Sequence, residues 1–292
     1  MTALLLDSAR LAVARIGPTA VTVDARWLMG YAAALGESDP RYYDTIAPGG
    51  PAVHPLFSVC YEWPLAAALR ARTMNETVGR RGVHAFHNLV VHRPPRAGES
   101  LRASAHVVGV QRVRAGTLVV IRFSTTDRTG VAVTTTDHGS IYRGVELHGD
   151  EIAPSAGETP PAAPSAGETP PAGAAKWEEP IEISLQLPHV YTECARIYNP
   201  IHTDAAVARA AGLPAIILHG TATLALAVSR VVARELDADP ARVRGVAARF
   251  TGMVMVPTRL NVRSHALPDG AVGFDVVGAD GTPVVSDGRV TR

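Results

Sequence analysis

The chain has 292 residues, 47% hydrophobic and 19% charged, a balance typical of globular proteins with room for one large domain or two small ones. Lys and Arg number 28 against 27 Asp and Glu, and the net charge of +1 gives no electrostatic case for nucleic acid or a membrane surface. The two cysteines, Cys60 and Cys194, show no CxxC or Cys/His spacing, which argues against a disulfide framework or a zinc motif and fits a reducing compartment.

At the N-terminus, Ala3-Leu4-Leu5-Leu6 is too short for the apolar core of a signal peptide, and no run approaches the ~20 residues that span a bilayer. A cytoplasmic location is expected. In chain order, a strand is predicted over 20–23, a helical stretch over 26–35 and a longer apolar helix over 55–72. Strands follow over 86–92, 101–111, 117–126 and 131–143, where Val, Thr and Ile alternate with polar residues. Residues 153–162 read APSAGETPPA and residues 163–172 repeat them unchanged. Such a tract has no side chains for a core and reads as a flexible, partly extended linker. Beyond it come a strand over 181–187, a short helix over 204–211 capped by Thr203 or Asp204, and a long apolar helix over 219–236. That helix stops at Asp237-Ala238-Asp239-Pro240. Strands over 243–250, 260–266, 272–278 and 283–289 complete the chain, with Asp269-Gly270 and Asp280-Gly281 as turn signals.

The organisation expected is a first domain over 1–150, a linker over 151–176 and a second domain over 177–292. The two domains share landmarks. Asp39-Pro40-Arg41-Tyr42-Tyr43-Asp44 aligns with Asn199-Pro200-Ile201-His202-Thr203-Asp204, and Val53-His54-Pro55 with Leu218-His219-Gly220. The run from Arg93-Pro94 to Leu101 then parallels Val256-Pro257-Thr258-Arg259-Leu260. Three landmarks in one order predict a duplicated unit. Each copy reads as one long helix wrapped by an antiparallel sheet, an α+β architecture.

Two pieces of the second half can carry chemistry. His202 follows an Asn-Pro turn and can move protons near neutral pH. Gly220 opens a long helix, where backbone N–H groups without intrahelical partners can hold a carbonyl oxygen. Plainer roles stand beside these: His202 hydrogen-bonded in a turn, Gly220 as helix packing, Asn199 as a turn initiator. His54 and His219 either flank a groove or satisfy local hydrogen bonds, and Cys194 reads better as a small core thiol than as a nucleophile.

The Asn199-Pro200-Ile201-His202 run, Ala211-Gly212 after it, and the apolar helix opened by His219-Gly220 resemble the MaoC-like dehydratases and (R)-specific enoyl-CoA hydratases of the two-part type. Arg249-Phe250 and the Arg93-Pro94 run fit the same family. The resemblance implies a double hot-dog: two antiparallel sheets, each wrapping a long central helix, able to join into one continuous sheet. It implies His202 as acid/base and the Gly220 N–H as oxyanion donor, with Asn199, Tyr198, His219 and Ile197 around the substrate. The family's motif reads Ser-Gly-Asp-x-Asn-Pro-Ile-His, and here Ile197 stands in place of the aspartate. If 192–198 forms a helical turn, Glu193 lies one turn before Ile197 and is the candidate surrogate carboxylate, against the plainer reading of a solvated surface group. The first half has Tyr42 opposite His202 and Pro55 opposite Gly220, and proline has no N–H to give. That half is expected to close the acyl-binding groove rather than form a second site.

The function implied is a lyase that hydrates 2-enoyl thioesters or dehydrates 3-hydroxyacyl thioesters in fatty acid or polyketide metabolism. Its partner is a thioester of coenzyme A or acyl carrier protein, and no metal or redox cofactor is implied. A monomeric double hot-dog or a homodimer is expected. Two alternatives stay open: another proton transfer on the same fold, such as isomerisation, a different elimination or cyclisation, and a non-catalytic thioester-binding subunit. A thioesterase fits less well, because the helix over 219–236 carries no carboxylate before Glu235.

Overall fold

A computed structural model describes residues 3–153 and 175–292. The APSAGETPPA repeat, apart from Ala153, lies outside the described residues. The first half forms β1 (Leu5–Asp7), α1 (Ser8–Ala12), β2 (Arg15–Val23), α2 (Ala25–Ala34), α3 (Val59–Thr73), α4 (Glu76–Gly79), β3 (Gly82–Val91), β4 (Glu99–Val113), β5 (Gly116–Thr126), β6 (Ala132–Arg143) and β7 (Glu146–His148). The second half forms β8 (Trp177–Ile183), α5 (Leu187–Ala195), α6 (Ala205–Ala210), α7 (Gly220–Glu235), β9 (Gly245–Phe250), β10 (Thr258–Ala266), β11 (Val272–Gly278) and β12 (Pro283–Thr291).

Ten strands make one sheet in the order β2-β4-β5-β6-β3-β9-β12-β11-β10-β8, while β1 and β7 form a separate parallel pair. Reading outward from the middle, each half repeats one arrangement: the strand after the long helix at the centre, the strand before it at the edge. The duplication expected from the landmarks is therefore present in topology. The two sheets are joined by antiparallel pairing of β3 with β9, from Phe86 opposite Arg249 to Val90 opposite Gly245. Helix α3 packs on β2 and β4, and α7 on β10, β11 and β12. This is the double hot-dog, with its two sheets merged.

Several elements differ from expectation: β1, α1, α4 and β7 have no predicted counterpart, and β2 begins at Arg15 instead of at residue 20. The strand predicted over 181–187 ends at Ile183, and Leu187 begins helix α5. Pro188 lies in the first turn of that helix, where a missing N–H leaves no intrahelical bond unmade. Helix α5 is the counterpart of α2, and the two pack together across the centre of the molecule. Tyr31 of α2 and Tyr191 of α5 bring their hydroxyls to 3.4 Å. The Trp27 indole donates to the Cys194 carbonyl at 3.0 Å, and the Arg196 guanidinium lies 4.0 Å over the Trp27 ring.

A buried hydrogen-bond chain also ties the halves. His54 Nδ1 accepts from the Leu56 N–H, so its proton sits on Nε2 and is donated to Ser229 Oγ at 3.2 Å. Ser229 donates in turn to Glu37 at 2.5 Å. Ser229→Ala is expected to strand two polar groups at this junction and cost about 1–3 kcal/mol. Urea unfolding checks it: the midpoint should fall with the slope unchanged, and an unmoved midpoint would remove the chain from the account of stability.

Candidate active site

Local backbone features aim His202. Helix α5 ends at Ala195, and Arg196 takes the left-handed conformation with φ 58°. The reversal returns Ile197 to the core at 4% exposure and leaves Tyr198 59% exposed. Pro200 then starts a 3-10 turn over Pro200–His202, and Asp204 caps α6 by accepting from the Ala206 and Val207 N–H groups. His202 ends up buried, its Nδ1 2.9 Å from the Ile217 carbonyl oxygen. A carbonyl only accepts, so Nδ1 carries the proton and Nε2 of the neutral ring is free. That nitrogen has no hydrogen bond among the described residues and is not sealed in the protein interior. Burial lowers the His202 pKa to about 4, only partly opposed by the Ile217 contact. At neutral pH the ring is an unprotonated base.

His219 stacks on this ring at 3.7 Å between centroids and 25° between planes, while its Nε2 meets Thr192 Oγ1 at 3.1 Å. It directly precedes α7 and supplies no side-chain cap. The first N–H groups of α7, beginning with Gly220, are therefore not taken by a cap. A Cβ on Gly220 would lie 3.2 Å from the Phe250 ring, tighter than ordinary contact, so the approach to this helix start is fitted to glycine.

His202, His219, Gly220, Asn199 and Ile197 all line one cavity of about 750 Å³. The cavity runs from this cluster into the first half, where His84, His87, His138, Glu62 and Arg70 line it. Glu193 and Tyr198 do not reach it. Both lie on the outer face and border a small surface groove with Asn199 and Pro200. The helical turn expected over 192–198 is broken at Ala195, so Glu193 and Ile197 do not share a helix face. Cys194 is partly buried and does not line the cavity.

Among the described residues, Glu62 is the only carboxylate lining the cavity. It sits on α3 and accepts from Thr136 Oγ1 at 2.6 Å; burial raises its pKa to about 7, against the hydrogen bond from Thr136. In the first half, Tyr42 stacks loosely on His54 as His202 does on His219, with centroids 6.4 Å apart. Glu37 occupies the position matching Ile197, two residues before the turn. It is committed to Ser229 and does not line the cavity. The signal for it was Gly36-Glu37 ahead of Asp39-Pro40, legible once the halves were aligned.

The tautomer and charge of His202 are directly measurable. Imidazole nitrogen NMR should show protonated Nδ1 and bare Nε2 at pH 7, with a titration midpoint near 4; a midpoint near 6.5 would contradict the burial argument. Stability should respond in step. His202 and His87, with pKa about 4, and His54, about 3, are all lowered mainly by burial, while the unfolded rings titrate near ~6.5. Their contribution is complete above that value and is lost as pH falls toward the folded pKa. Urea midpoints should therefore drop between pH 7 and pH 5, and a flat profile would contradict it.

Comparison with known proteins finds a dehydratase model on each half. Residues 169–279 match the MaoC like domain, and residues 12–136 match the FAS1-like dehydratase domain region. A fatty acid synthase subunit beta from Aspergillus oryzae is 45% identical over 76 residues, 25% of this chain and 4% of that protein. The peroxisomal enoyl-CoA hydratase 2 of Arabidopsis thaliana is 40% identical over 53 residues, 18% of this chain and 17% of that one. The chain thus spans only a small part of the length of these relatives. Among solved structures, a MaoC-like dehydratase from Phytophthora capsici superposes with a TM-score of 0.81 at 20% identity, covering 97% of both chains. The peroxisomal multifunctional enzyme type 2 of Drosophila melanogaster gives 0.71 at 22% identity, over 94% of this chain and 47% of that one. The second half thus matches the MaoC like domain, the first half matches the FAS1-like dehydratase domain region, and the whole chain folds as a double hot-dog.

Proposed function

We propose that the protein hydrates 2-enoyl thioesters and dehydrates the corresponding 3-hydroxyacyl thioesters, with His202 as its acid/base. The observation that carries this reading is the neutral His202 ring, its Nε2 proton-free, on the same cavity as the uncapped start of α7. In hydration, Nε2 takes a proton from water as the water oxygen bonds to C3 and the C2–C3 double bond opens. The enolate charge reaches the thioester oxygen, where the Gly220 N–H and the helix dipole oppose it. The Nε2 proton then passes to C2. Water is consumed, the ring returns to its starting state, and dehydration is the reverse. With Ile197 in place of the family's aspartate, one imidazole serves both proton transfers.

The substrate carrier in this proposal is coenzyme A or acyl carrier protein. The acyl chain runs into the first half, so one chain supplies both walls of the site and no second copy is required. The chemistry calls on no metal or redox cofactor. Among the described residues, no helix is long and apolar enough to cross a membrane.

Ile197 supports a second reading. An apolar side chain in the cavity disfavours an ordered water, and the same base beside the same oxyanion site then serves a proton shift within the acyl chain. A hydration assay with crotonyl-CoA and longer 2-enoyl-CoA thioesters separates the two. His202→Ala should lower kcat at least ~100-fold, the low end for loss of one acid/base group. Wild-type protein that consumes no enoyl thioester by hydration, or a variant with unchanged rate, would defeat the primary reading.

A further inference from the structure

The cavity has exposed lining residues at both of its ends: Ala211, Gly212 and Met253 in the second half, Arg81, Arg143 and Gly144 in the first. Charge is divided unequally between these mouths. Among the described residues, every Lys or Arg that lines the cavity belongs to the first half: Arg70, Arg80, Arg81 and Arg143.

The fold gathers these four from separate elements. Arg70 lies in the last turn of α3, while Arg80 and Arg81 join α4 to β3. Arg143 ends β6, and its N–H donates to the Arg81 carbonyl at 3.1 Å, so both residues stand at the same end of the sheet. Arg81 precedes His84 by three residues, about 10 Å of extended chain. The His84 ring lies 4.3 Å from the ring of Phe250, which packs beside Gly220. The arginines therefore stand well removed from the reacting end, on the side into which the acyl chain runs. The rings of His84 and His138 stack at 3.8 Å along the way. Nε2 of His84 and both nitrogens of His87 are sealed from the cavity, so these histidines give it wall and no ligand.

Arg70 differs from them. It is half-buried, and its guanidinium lies 4.6 Å over the Trp63 ring. Stacking uses the face of the guanidinium and leaves the N–H donors in its plane free. None of its nitrogens is sealed, and no carboxylate pairs with it among the described residues. Burial lowers the Arg70 pKa, as expected of a cation withdrawn from water without a counter-ion. Arg81 and Arg143 are exposed and also have no acidic partner among the described residues. Only Arg80 is paired, with Glu76 at 2.5 Å. The cavity's one carboxyl group, on Glu62, belongs to a residue eight positions before Arg70, about 12 Å along the axis of α3.

An anion brought to this end would meet the free donors of Arg70 in the bidentate geometry that a guanidinium offers a carboxylate. A methyl terminus would leave the half-buried cation with an aromatic face alone. We propose that the first-half mouth holds a carboxylate at the far end of the acyl chain, so that the preferred substrates are monothioesters of dicarboxylic acids. Arg70 is the principal ligand, and Arg81 and Arg143 draw the anion to the mouth. The inference rests on the acyl-thioester reading above and narrows its substrate class. Carrier phosphates share this chemistry, but with the acyl chain in the first half they stay at the other mouth.

Calorimetric binding of saturated coenzyme A thioesters tests the proposal without relying on turnover. Octanoyl-, decanoyl- and dodecanoyl-CoA are each compared with the chain of equal length that ends in a carboxylate. Wild-type protein should bind at least one carboxylated chain ~10-fold or more tighter than its plain counterpart, the low end for a charged hydrogen bond. Arg70→Met, which keeps an unbranched stem against Trp63, should erase that margin without weakening the plain chains. The double variant Arg81→Gln/Arg143→Gln, confined to the exposed rim where folding is not at stake, should reduce it severalfold. No margin at any length overturns the proposal, and so does a margin that both variants leave intact. Equal weakening of plain and carboxylated chains would assign the arginines to the carrier's phosphates and likewise overturn it. Failure of every thioester to bind, plain chains included, would instead overturn the acyl-thioester reading itself.

Discussion

The pairing of β3 with β9 is the contact on which the rest of the molecule depends. Five aligned residue pairs make one sheet of two duplicated halves and set α3 and α7 in a common frame. The same seam places the first-half branch of the cavity, lined from β3 and β6, against the start of α7. The His202 turn and Gly220 lie at that junction, and the Phe250 ring, at the end of β9, fills the space a side chain at Gly220 would take and lies 4.3 Å from the His84 ring. The copies differ at the matching positions: the second has His202 and Gly220 where the first has Tyr42 and Pro55, and the first lines the other branch of the cavity.

Charge in the cavity is set mainly by burial. A histidine in water is partly protonated just below neutral pH, whereas His202 here is held neutral, its tautomer fixed by the Ile217 carbonyl. Glu62 is driven the other way, to about 7, by the same removal from water. Removal from water thus yields a neutral imidazole and a carboxyl poised near neutrality, as desolvation penalises the charged form of each. Ile197, buried and lining the same cavity, extends that removal from water to the second half.

Much of this was legible in the sequence because periodicity and duplication act locally. Most strands of both halves, the two long helices and the turn at Asn199-Pro200 emerged close to their observed bounds, whereas β1 and β7 had no predicted counterpart and β2 and β8 were displaced. Helix α5 did not, since Leu187-Pro188 reads as a strand end unless proline is weighed as a first-turn residue. Glu193 was misplaced for a related reason: the left-handed Arg196 ends the helix before its one-turn spacing to Ile197 can matter. The histidine cluster was hidden differently. His84, His87 and His138 are scattered along strands, and the irregularity after His84 breaks the alternation that would have assigned them to one face.

The most direct test of the central claim follows the atoms. A 2-enoyl-CoA thioester is incubated with the protein in deuterated water enriched in oxygen-18, and the product is read by mass spectrometry and NMR. One solvent deuterium at C2 and one solvent oxygen at C3, both absent with His202→Ala, is the result expected of one imidazole performing hydration. Deuterium entering the chain without solvent oxygen, or labelling that persists without His202, would contradict the account.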